Sequence, residues 1–309
     1  MPRLLSRHAF FVFSAYSWNV KFSLTSFAKV NLHLRVLGKR DDGFHDIFTV
    51  FQTISLADEL TFEPADVLEL ICDDPAVPTD ETNLIFRAAR ALRPDGGARI
   101  SLVKRIPIGG GLGGGSSDAA AALIGLNRLW KLGLDVAQLA SIGAEIGSDV
   151  PFFLSGGTAL GIGRGTDIEP ISDLDERYMV LIAPGVHVST AAAYAGLHAE
   201  SLTNGDLNRI LRVCRSEAES PDFLQAALIN DFEPTVFAEF PEIGRAKQRL
   251  MELGANRALM SGSGASVFGI FDKEETRQTA LKALDNEVNW RKFAVAAVSR
   301  ETVQQTLVC

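Results

Sequence analysis

The sequence has few cysteines and no excess of positive charge. Its only thiols are Cys72, Cys214 and Cys309, and no two of them form a C-x-x-C pair. Neither a disulfide framework nor a thiolate zinc site is therefore predicted, and the cysteine usage fits a cytoplasmic protein. The chain carries 30 Lys and Arg against 38 Asp and Glu, for a net charge of −8. This balance argues against nucleic acid as a partner, because nucleic-acid binders concentrate positive charge.

Long apolar runs are also scarce. Beyond residue 20 no stretch approaches the ~20 apolar residues that a membrane span needs, so no membrane segment is expected. The apolar run 9–18 follows Arg3 and Arg7 and resembles a weak signal peptide, but Ser14 and Ser17 interrupt it. We interpret residues 1–22 as an extension outside the folded core. The 309 residues are 47% hydrophobic and 22% charged, which is typical of a globular protein of enzyme size.

Apolar and polar residues alternate over residues 28–36, which predicts a half-buried strand with Lys29, Asn31 and His33 on one face. Turn residues at 38–43 predict a hairpin that has Phe44 and His45 at its tip. The other predicted strands lie at 47–56, 60–62, 98–104, 152–163, 178–183, 258–261 and 267–271. The predicted helices of the first half lie at 83–92, 116–130 and 136–146.

Strands and helices follow each other without a regular β-α-β order. This irregularity favours the α+β class over a doubly wound parallel sheet. A polar segment at 173–176 precedes a new apolar strand, which predicts a domain boundary near residue 172. We therefore expect an N-terminal domain at 23–171 and a C-terminal domain at 172–309.

The most informative segment contains six glycines within residues 109–115. Glycine loses more backbone freedom on folding than any other residue, so the missing side chains must serve a purpose. A loop of this kind that leads into a helix exposes backbone N–H groups and the positive end of the helix dipole, which together bind anions. A flexible hinge or close packing is the alternative. The predicted phosphate-binding residues are Pro107, Ile108, Gly109, Gly110, Gly111, Leu112, Gly113, Gly114, Gly115, Ser116 and Ser117.

The glycine spacing alone does not identify the nucleotide. Gly109, Gly111 and Gly114 match G-x-G-x-x-G, and Asp135 follows roughly twenty residues later, as a dinucleotide fold requires. In that fold, however, the acidic residue ends a strand, whereas Asp135 joins two predicted helices. The segment also lacks the G-K-[ST] ending of a P-loop.

The glycine loop occurs together with several further motifs in a fixed order. They are S-F-A-K-V-N-L at 26–32, G-F-H at 43–45, G-S-D-V-P-F-F at 147–153, N-D-F-E at 230–233 and S-G-S-G-A at 261–265. This combination closely resembles the 4-diphosphocytidyl-2-C-methyl-D-erythritol kinases, which belong to the superfamily of galactokinase, homoserine kinase and mevalonate kinase. The resemblance implies two domains, an N-terminal one like ribosomal protein S5 and a C-terminal ferredoxin-like α/β sandwich.

The resemblance also implies the reaction and its catalytic residues. Such an enzyme transfers the γ-phosphoryl group of ATP to the 2-hydroxyl of the methylerythritol moiety, in the non-mevalonate route to isoprenoid precursors. Asp149 matches the family's catalytic aspartate, a general base, although from spacing alone its carboxylate could equally cap a turn. Lys29 matches the catalytic lysine, although a strand lysine considered alone is usually solvated.

Four residues are expected on the acceptor side. Asn31 would orient the acceptor, with a plain surface asparagine as the alternative. His45 matches the family's cytosine-binding histidine, and its neighbour Phe44 stands where the family commonly has a tyrosine. A phenylalanine keeps the stacking face but loses the hydrogen bond of a phenol. Tyr194 matches a second aromatic for the base, or else packs in the core.

The implied co-substrate is ATP with Mg²⁺, because phosphoryl transfer needs a divalent ion on the phosphate oxygens. No carboxylate in the sequence stands out as a dedicated metal ligand. The implied partner is a small molecule with a cytidine diphosphate group, and the protein is expected to be a monomer or a weak homodimer. The G-F-H motif argues against a sister kinase for another alcohol. The presence of both Lys29 and Asp149 argues against a nucleotide-binding or RNA-associated protein without kinase activity.

Overall fold

The computed structural model describes residues 21–174, 177–197, 212, 215–216, 218 and 228–308. The predicted N-terminal extension lies outside these ranges up to residue 20, as do Cys214 and Cys309. Within the described ranges, no helix is both long and apolar enough to cross a membrane.

The first sheet is built around a long antiparallel hairpin of β1 (Phe22–Lys39) and β2 (His45–Glu63). On the edge away from β1, β2 pairs with two strands because it is long. Its first half pairs with β5 (Thr158–Gly163) and its last residues pair with β4 (Ala98–Val103). The edge strands are β3 (Leu68–Cys72), parallel to β4, and β6 (Asp167–Pro170), antiparallel to β5.

Helices cover one face of this sheet: α1 (Leu84–Leu92), α2 (Gly114–Leu129), α3 (Val136–Ile146) and α4 (Val150–Ser155). The central helix α2 approaches the sheet closely because alanines fill its buried face at 119–122. Gly125 continues this face, since a Cβ there would lie 2.4 Å from the ring of Phe62. Asp135 begins α3 with a capping box to Gln138, which confirms that it joins two helices.

The second sheet is antiparallel in the order β10-β7-β9-β8. Its strands are β7 (Tyr178–Ala183), β8 (Arg257–Met260), β9 (Val267–Phe271) and β10 (Arg291–Ala296). The helices of this half whose bounds lie within the described ranges are α5 (Thr190–Gly196), α6 (Glu233–Glu239), α7 (Pro241–Glu252), α8 (Glu274–Ala283) and α9 (Arg300–Val308). Two mainly antiparallel sheets, each accompanied by helices, confirm the α+β class.

The free edge of β1 is covered by three distant segments. The backbone N–H groups of Lys29, Asn31 and Leu34 donate respectively to Leu112 O at 3.0 Å, Ser261 Oγ at 3.4 Å and Ile229 O at 2.7 Å. Lys29, Asn31 and His33 are consequently 4%, 3% and 1% exposed. The apolar face of β1 packs against the second sheet, as expected. The prediction of a half-buried strand was wrong because the polar face is buried too, where Lys29 lies against the Phe51 ring, Gly113 and Asp149.

Three predicted element bounds were wrong. Residues 60–62 are the end of β2 rather than a separate strand. Residues 152–155 belong to α4 instead of a strand, since a short apolar run does not distinguish the two and Pro151 suits the first turn of a helix. Helix α2 begins at Gly114, two residues earlier than predicted.

Candidate active site

The glycine loop ends at an uncapped helix start. Gly109, Gly111 and Gly113 have φ of 67°, 73° and 70°, and Gly113 stands at the N-cap of α2, where no side chain caps the helix. The first backbone N–H groups of α2 therefore lack a side-chain partner and form an anion site together with the helix dipole. The loop lines a cavity of about 370 Å³ whose other wall includes Val77, Pro78, Thr82, Asn83, Leu84 and Lys104.

Close backbone contacts hold the loop in place. A Cβ on Gly111 would lie 2.1 Å from the carbonyl oxygen of Ser261. Ser261 Oγ donates to Gly111 O at 2.8 Å, and Ser266 N donates to Gly110 O at 3.0 Å. The second glycine motif, 261–266, thus joins β8 to β9 and also supports the loop from the second sheet. These contacts argue against a free hinge.

Lys29 and Asp149 form an ion pair beside the loop. Asp149 lies in the turn between α3 and α4, and its Oδ2 is 3.4 Å from Lys29 Nζ. Although Asp149 is the N-cap residue of α4, its carboxylate makes no capping hydrogen bond, so the alternative of a capping role is not what the geometry shows. The Lys29 side chain also reaches the loop, since a Cβ on Gly113 would lie 3.2 Å from Lys29 Cε.

The side chain of Asn31 holds the Lys29 ammonium by a hydrogen bond. Lys29 Nζ donates to Asn31 Oδ1 at 2.6 Å, and Asn31 Nδ2 donates to Thr49 Oγ1 at 2.7 Å. Thr49 Oγ1 in turn donates to His33 O at 2.7 Å. The buried amide of Asn31 therefore contacts Lys29 and does not line the larger cavity described next, and Thr49 is a supporting residue that the sequence pattern did not reveal.

A cavity of about 1130 Å³ opens on the other side of Asp149. It brings together Asp149, the predicted base, and Phe44, His45 and Tyr194, three of the four residues that the sequence placed at the acceptor. The His45 and Tyr194 rings stack with centroids 4.7 Å apart. Further lining residues, not predicted, are Lys39, Gly43, Ile47, Ser148, Arg164, Thr190, Ala191, Ala195 and Leu197.

Burial, with a smaller effect of nearby charges, shifts the pKa values of two residues at this cavity. Burial, helped by the positive charge of Lys39, lowers the pKa of His45 below 6.5, so its imidazole is neutral at pH 7 and can both donate and accept hydrogen bonds. Burial and then the Asp149 carboxylate raise the pKa of Tyr194 to about 12. Tyr194 therefore stays an uncharged phenol near the carboxylate.

A buried ion triad behind the loop was missed. Lys104 Nζ lies 2.5 Å from Asp58 Oδ2 and 2.7 Å from Asp118 Oδ2. Asp58 Oδ1 also accepts from Arg105 N and Ile106 N at 2.5 and 2.8 Å, so the triad fixes the segment that enters the glycine loop. Its only signal in the sequence was a lysine just before the loop.

Ser117 belongs to this buried cluster and does not line the cavity. Its hydroxyl donates to Phe27 O at 2.6 Å and accepts from Ser26 Oγ at 2.7 Å. Ser26 Oγ also lies 2.9 Å from Asp118 Oδ1. Of the two predicted serines, only Ser116 lines the cavity.

Asp118 is expected to make stability depend on pH. Burial raises its pKa from 3.8 to about 7, although Lys104 opposes this shift. Between these pH values the folded chain holds a proton that the unfolded chain releases, so the Asp118 contribution to the free energy of unfolding decreases as pH rises and is lost above about 7. In Asp118→Asn this decrease should be absent.

Urea unfolding of both proteins from pH 5 to pH 8 measures this difference, and Asp95→Asn, in an exposed turn, is the control. The variant should gain stability relative to wild type as pH rises. Parallel profiles for wild type and Asp118→Asn would contradict the assignment of this titration to Asp118.

Comparisons with known proteins agree with the geometry. The family GHMP kinases N terminal domain matches residues 83–157, and GHMP kinases C terminal matches residues 199–289. The chain is 43% identical over 288 residues to 4-diphosphocytidyl-2-C-methyl-D-erythritol kinase of Solibacter usitatus, covering 90% of this chain and 89% of that protein. It is 41% identical over 284 residues to the kinase of the same name from Geobacter sp., covering 90% and 99%.

A solved structure is similar in fold and in sequence. The crystal structure of a 4-(cytidine 5'-diphospho)-2C-methyl-D-erythritol kinase superimposes with a TM-score of 0.72 at 35% identity. The match covers 89% of this chain and 99% of the other. The similarity therefore extends over most of both chains.

Proposed function

Since the chain belongs to the 4-diphosphocytidyl-2-C-methyl-D-erythritol kinase family, we propose that Lys29 and Asp149 are its catalytic pair. The protein is an ATP-dependent kinase that phosphorylates the 2-hydroxyl of 4-diphosphocytidyl-2-C-methyl-D-erythritol, in isoprenoid precursor synthesis. The observation that supports the proposed pair is its position. The pair lies between a cavity suited to phosphates and a larger cavity lined by aromatic and cationic side chains.

On the donor side, the phosphates of ATP bind at the glycine loop and the first turn of α2. Their negative charge meets uncapped N–H groups and the positive end of the helix dipole. The apolar residues Val77, Pro78 and Leu84 line the rest of this cavity and suit a purine and its ribose. Lys104 on the same wall is paired with Asp58 and Asp118, so the positive potential for the phosphates comes from the start of α2 and not from this lysine.

Mg²⁺ accompanies ATP in this proposal and neutralises charge on the phosphate oxygens. Among the residues that the structure describes, no cluster of three His, Cys, Asp or Glu side chains could hold a metal ion. Phosphate oxygens and water would therefore be its main ligands, and Ser116, which lines the phosphate cavity, would be an available protein hydroxyl.

In the reaction, the Asp149 carboxylate accepts the proton of the 2-hydroxyl. The oxygen so activated bonds to the γ-phosphorus as the bond to the β,γ-bridging oxygen breaks and ADP leaves. Lys29 stabilises the negative charge that shifts across the transferring group, and its buried ammonium needs no reorganisation because Asn31 and Asp149 already fix it.

On the acceptor side, the cytosine base lies at Phe44 and His45. The neutral imidazole of His45 suits a hydrogen bond to an uncharged base, and Tyr194 holds that imidazole by stacking on it. The ring of Phe44 is 48% exposed and offers a stacking surface.

We propose the domain boundary, the cellular location and the oligomeric state that the sequence predicts. The first sheet ends at Pro170 and the second begins at Tyr178, which supports a boundary near residue 172. A cytoplasmic location follows from the need for ATP, and a monomer or weak homodimer stays a prediction.

A substrate panel tests the proposed function. The purified chain is given ATP and Mg²⁺ with 4-diphosphocytidyl-2-C-methyl-D-erythritol, homoserine or mevalonate in separate reactions, and ADP release is followed. Turnover should occur only with the first acceptor. Turnover with homoserine or mevalonate instead would favour the sister-kinase alternative.

A further inference from the structure

The larger cavity contains a cation that the proposed reaction does not use. Arg164 follows β5 between Gly163 and Gly165, two glycines with φ of 67° and 86°. Its guanidinium carbon lies 3.7 Å from the centroid of the Phe44 ring, and both side chains line the cavity that contains Asp149. Arg164 therefore faces the acceptor.

The hydrogen-bonding capacity of Arg164 is not met by the described part of the protein. Its Nε is buried and has no hydrogen-bond partner there. The positive charge of Arg164 contributes to a lowered pKa of Asp42, but the Asp42 carboxylate is paired with Arg40, whose Nε lies 3.1 Å from Asp42 Oδ2. A buried donor without a partner is rare in a folded protein and calls for an explanation, such as a functional role or a bound water or ion. The guanidinium thus has one donor that the described residues leave unsatisfied, and it lies at the wall of a cavity.

A second cation lies in the same cavity. Lys39 is exposed, and its positive charge acts on His45, which helps to keep the imidazole neutral. Lys39 and Arg164 make this cavity locally cationic in a chain of net charge −8. The cavity offers an aromatic ring and a neutral imidazole to an uncharged base, and two cations to an anionic group attached to that base.

We propose that Arg164 binds the diphosphate of the acceptor and, by covering one face of the Phe44 ring, also fixes the surface on which the cytosine stacks. This inference rests on the proposed function and adds the residue that distinguishes a cytidine diphosphate from the nucleoside. A guanidinium suits this role because it can donate two parallel hydrogen bonds to phosphate oxygens while its plane packs on a ring.

The arginine also compensates for Phe44. A phenylalanine at this position lacks the phenol that would otherwise anchor the ring by a hydrogen bond. The cation–π contact with Arg164 supplies a different anchor. Covering one ring face leaves the other for the base.

Binding measurements on the full chain test the inference. Isothermal titration calorimetry with CDP, cytidine and ATP is applied to wild type, Arg164→Gln and Arg164→Lys. The control is Arg99→Gln, whose ion pair with Glu69 lies at the β3–β4 edge. Arg164→Gln should weaken CDP binding about tenfold or more, because charge-assisted hydrogen bonds are lost, and cytidine binding much less. Arg164→Lys should recover part of the CDP affinity, and ATP should bind every variant alike.

The outcomes separate this inference from the proposed function. Unchanged CDP affinity in Arg164→Gln, equal losses for CDP and cytidine, or no recovery with lysine would overturn the role of Arg164 at the diphosphate. Wild-type protein that binds ATP but neither CDP nor cytidine would overturn the proposed function itself, and the inference with it.

Discussion

Asp149→Asn is expected to lower kcat by about 10²- to 10⁴-fold, the usual contribution of a general base. The amide keeps the shape of the carboxylate but cannot accept the proton of the 2-hydroxyl. ATP affinity should change little, because the glycine loop, not Asp149, lines the smaller cavity. Lys29 also keeps Asn31 Oδ1 as an acceptor at 2.6 Å, so the buried lysine is not left without a partner. Steady-state kinetics with ADP detection measures kcat, and calorimetry measures ATP binding.

The control for this variant is Asp95→Asn, in the exposed turn that follows α1. It makes the same chemical change away from both cavities, and its kcat should equal that of wild type. If Asp149→Asn retained activity within about threefold of wild type, a general base worth the usual factor could not reside at this carboxylate.

Gly111→Ala is expected to raise the KM for ATP at least about tenfold and to lower the unfolding temperature by at least about 4 °C. Alanine at φ of 73° costs about 1–2 kcal/mol. In addition, its Cβ would lie 2.1 Å from Ser261 O and 2.9 Å from Gly264 O, both backbone atoms that cannot swing away. The loop must therefore move away from the second glycine motif, which adds to the cost of the backbone angle. In a chain of 309 residues about 1 kcal/mol corresponds to about 1.5 °C, so a decrease of about 4 °C corresponds to a total cost of roughly 2.6 kcal/mol.

Gly133→Ala is the matched control, because Gly133 has φ of 71° but a Cβ there would meet no atom of the described residues within 4 Å. It should show the cost of the backbone angle alone, with an unchanged KM for ATP. Thermal unfolding and ATP kinetics on both variants separate the two contributions. Equal behaviour of Gly111→Ala and Gly133→Ala would mean that contact with Ser261 does not hold the loop.

Local patterns in the sequence predicted much of the fold. The long hairpin, the helix after the glycine loop and the capped helix at 136–146 depend on alternation, turn residues and capping, which neighbouring residues determine. The helix at 150–155 was missed because a short apolar run carries no period. Burial of Lys29 was missed because the residues around its side chain, Phe51, Gly113 and Asp149, are distant in sequence.

The site shows the same division. Lys29, His45 and Asp149 were found through motifs that resemble a known family, and the structure places each of them at the junction of the two cavities or in the larger one. Arg164 and Lys104 were missed because the residues that they contact are distant in sequence. Phe44 precedes Arg164 by 120 positions, and Lys104 meets Asp58 from another strand. An arginine between two glycines does not by itself indicate a binding site, and only the fold shows that Arg164 packs on an aromatic ring.

The most direct test of the central claim is the position of the transferred phosphate. The chain is incubated with ATP, Mg²⁺ and 4-diphosphocytidyl-2-C-methyl-D-erythritol, and the product is examined by ³¹P NMR. We expect one new phosphomonoester on the 2-hydroxyl, an intact diphosphate, and one ADP for each product molecule. A phosphate on another hydroxyl, or no product from this acceptor while ATP is bound, would contradict the account of Lys29 and Asp149 as the pair that transfers phosphate to it.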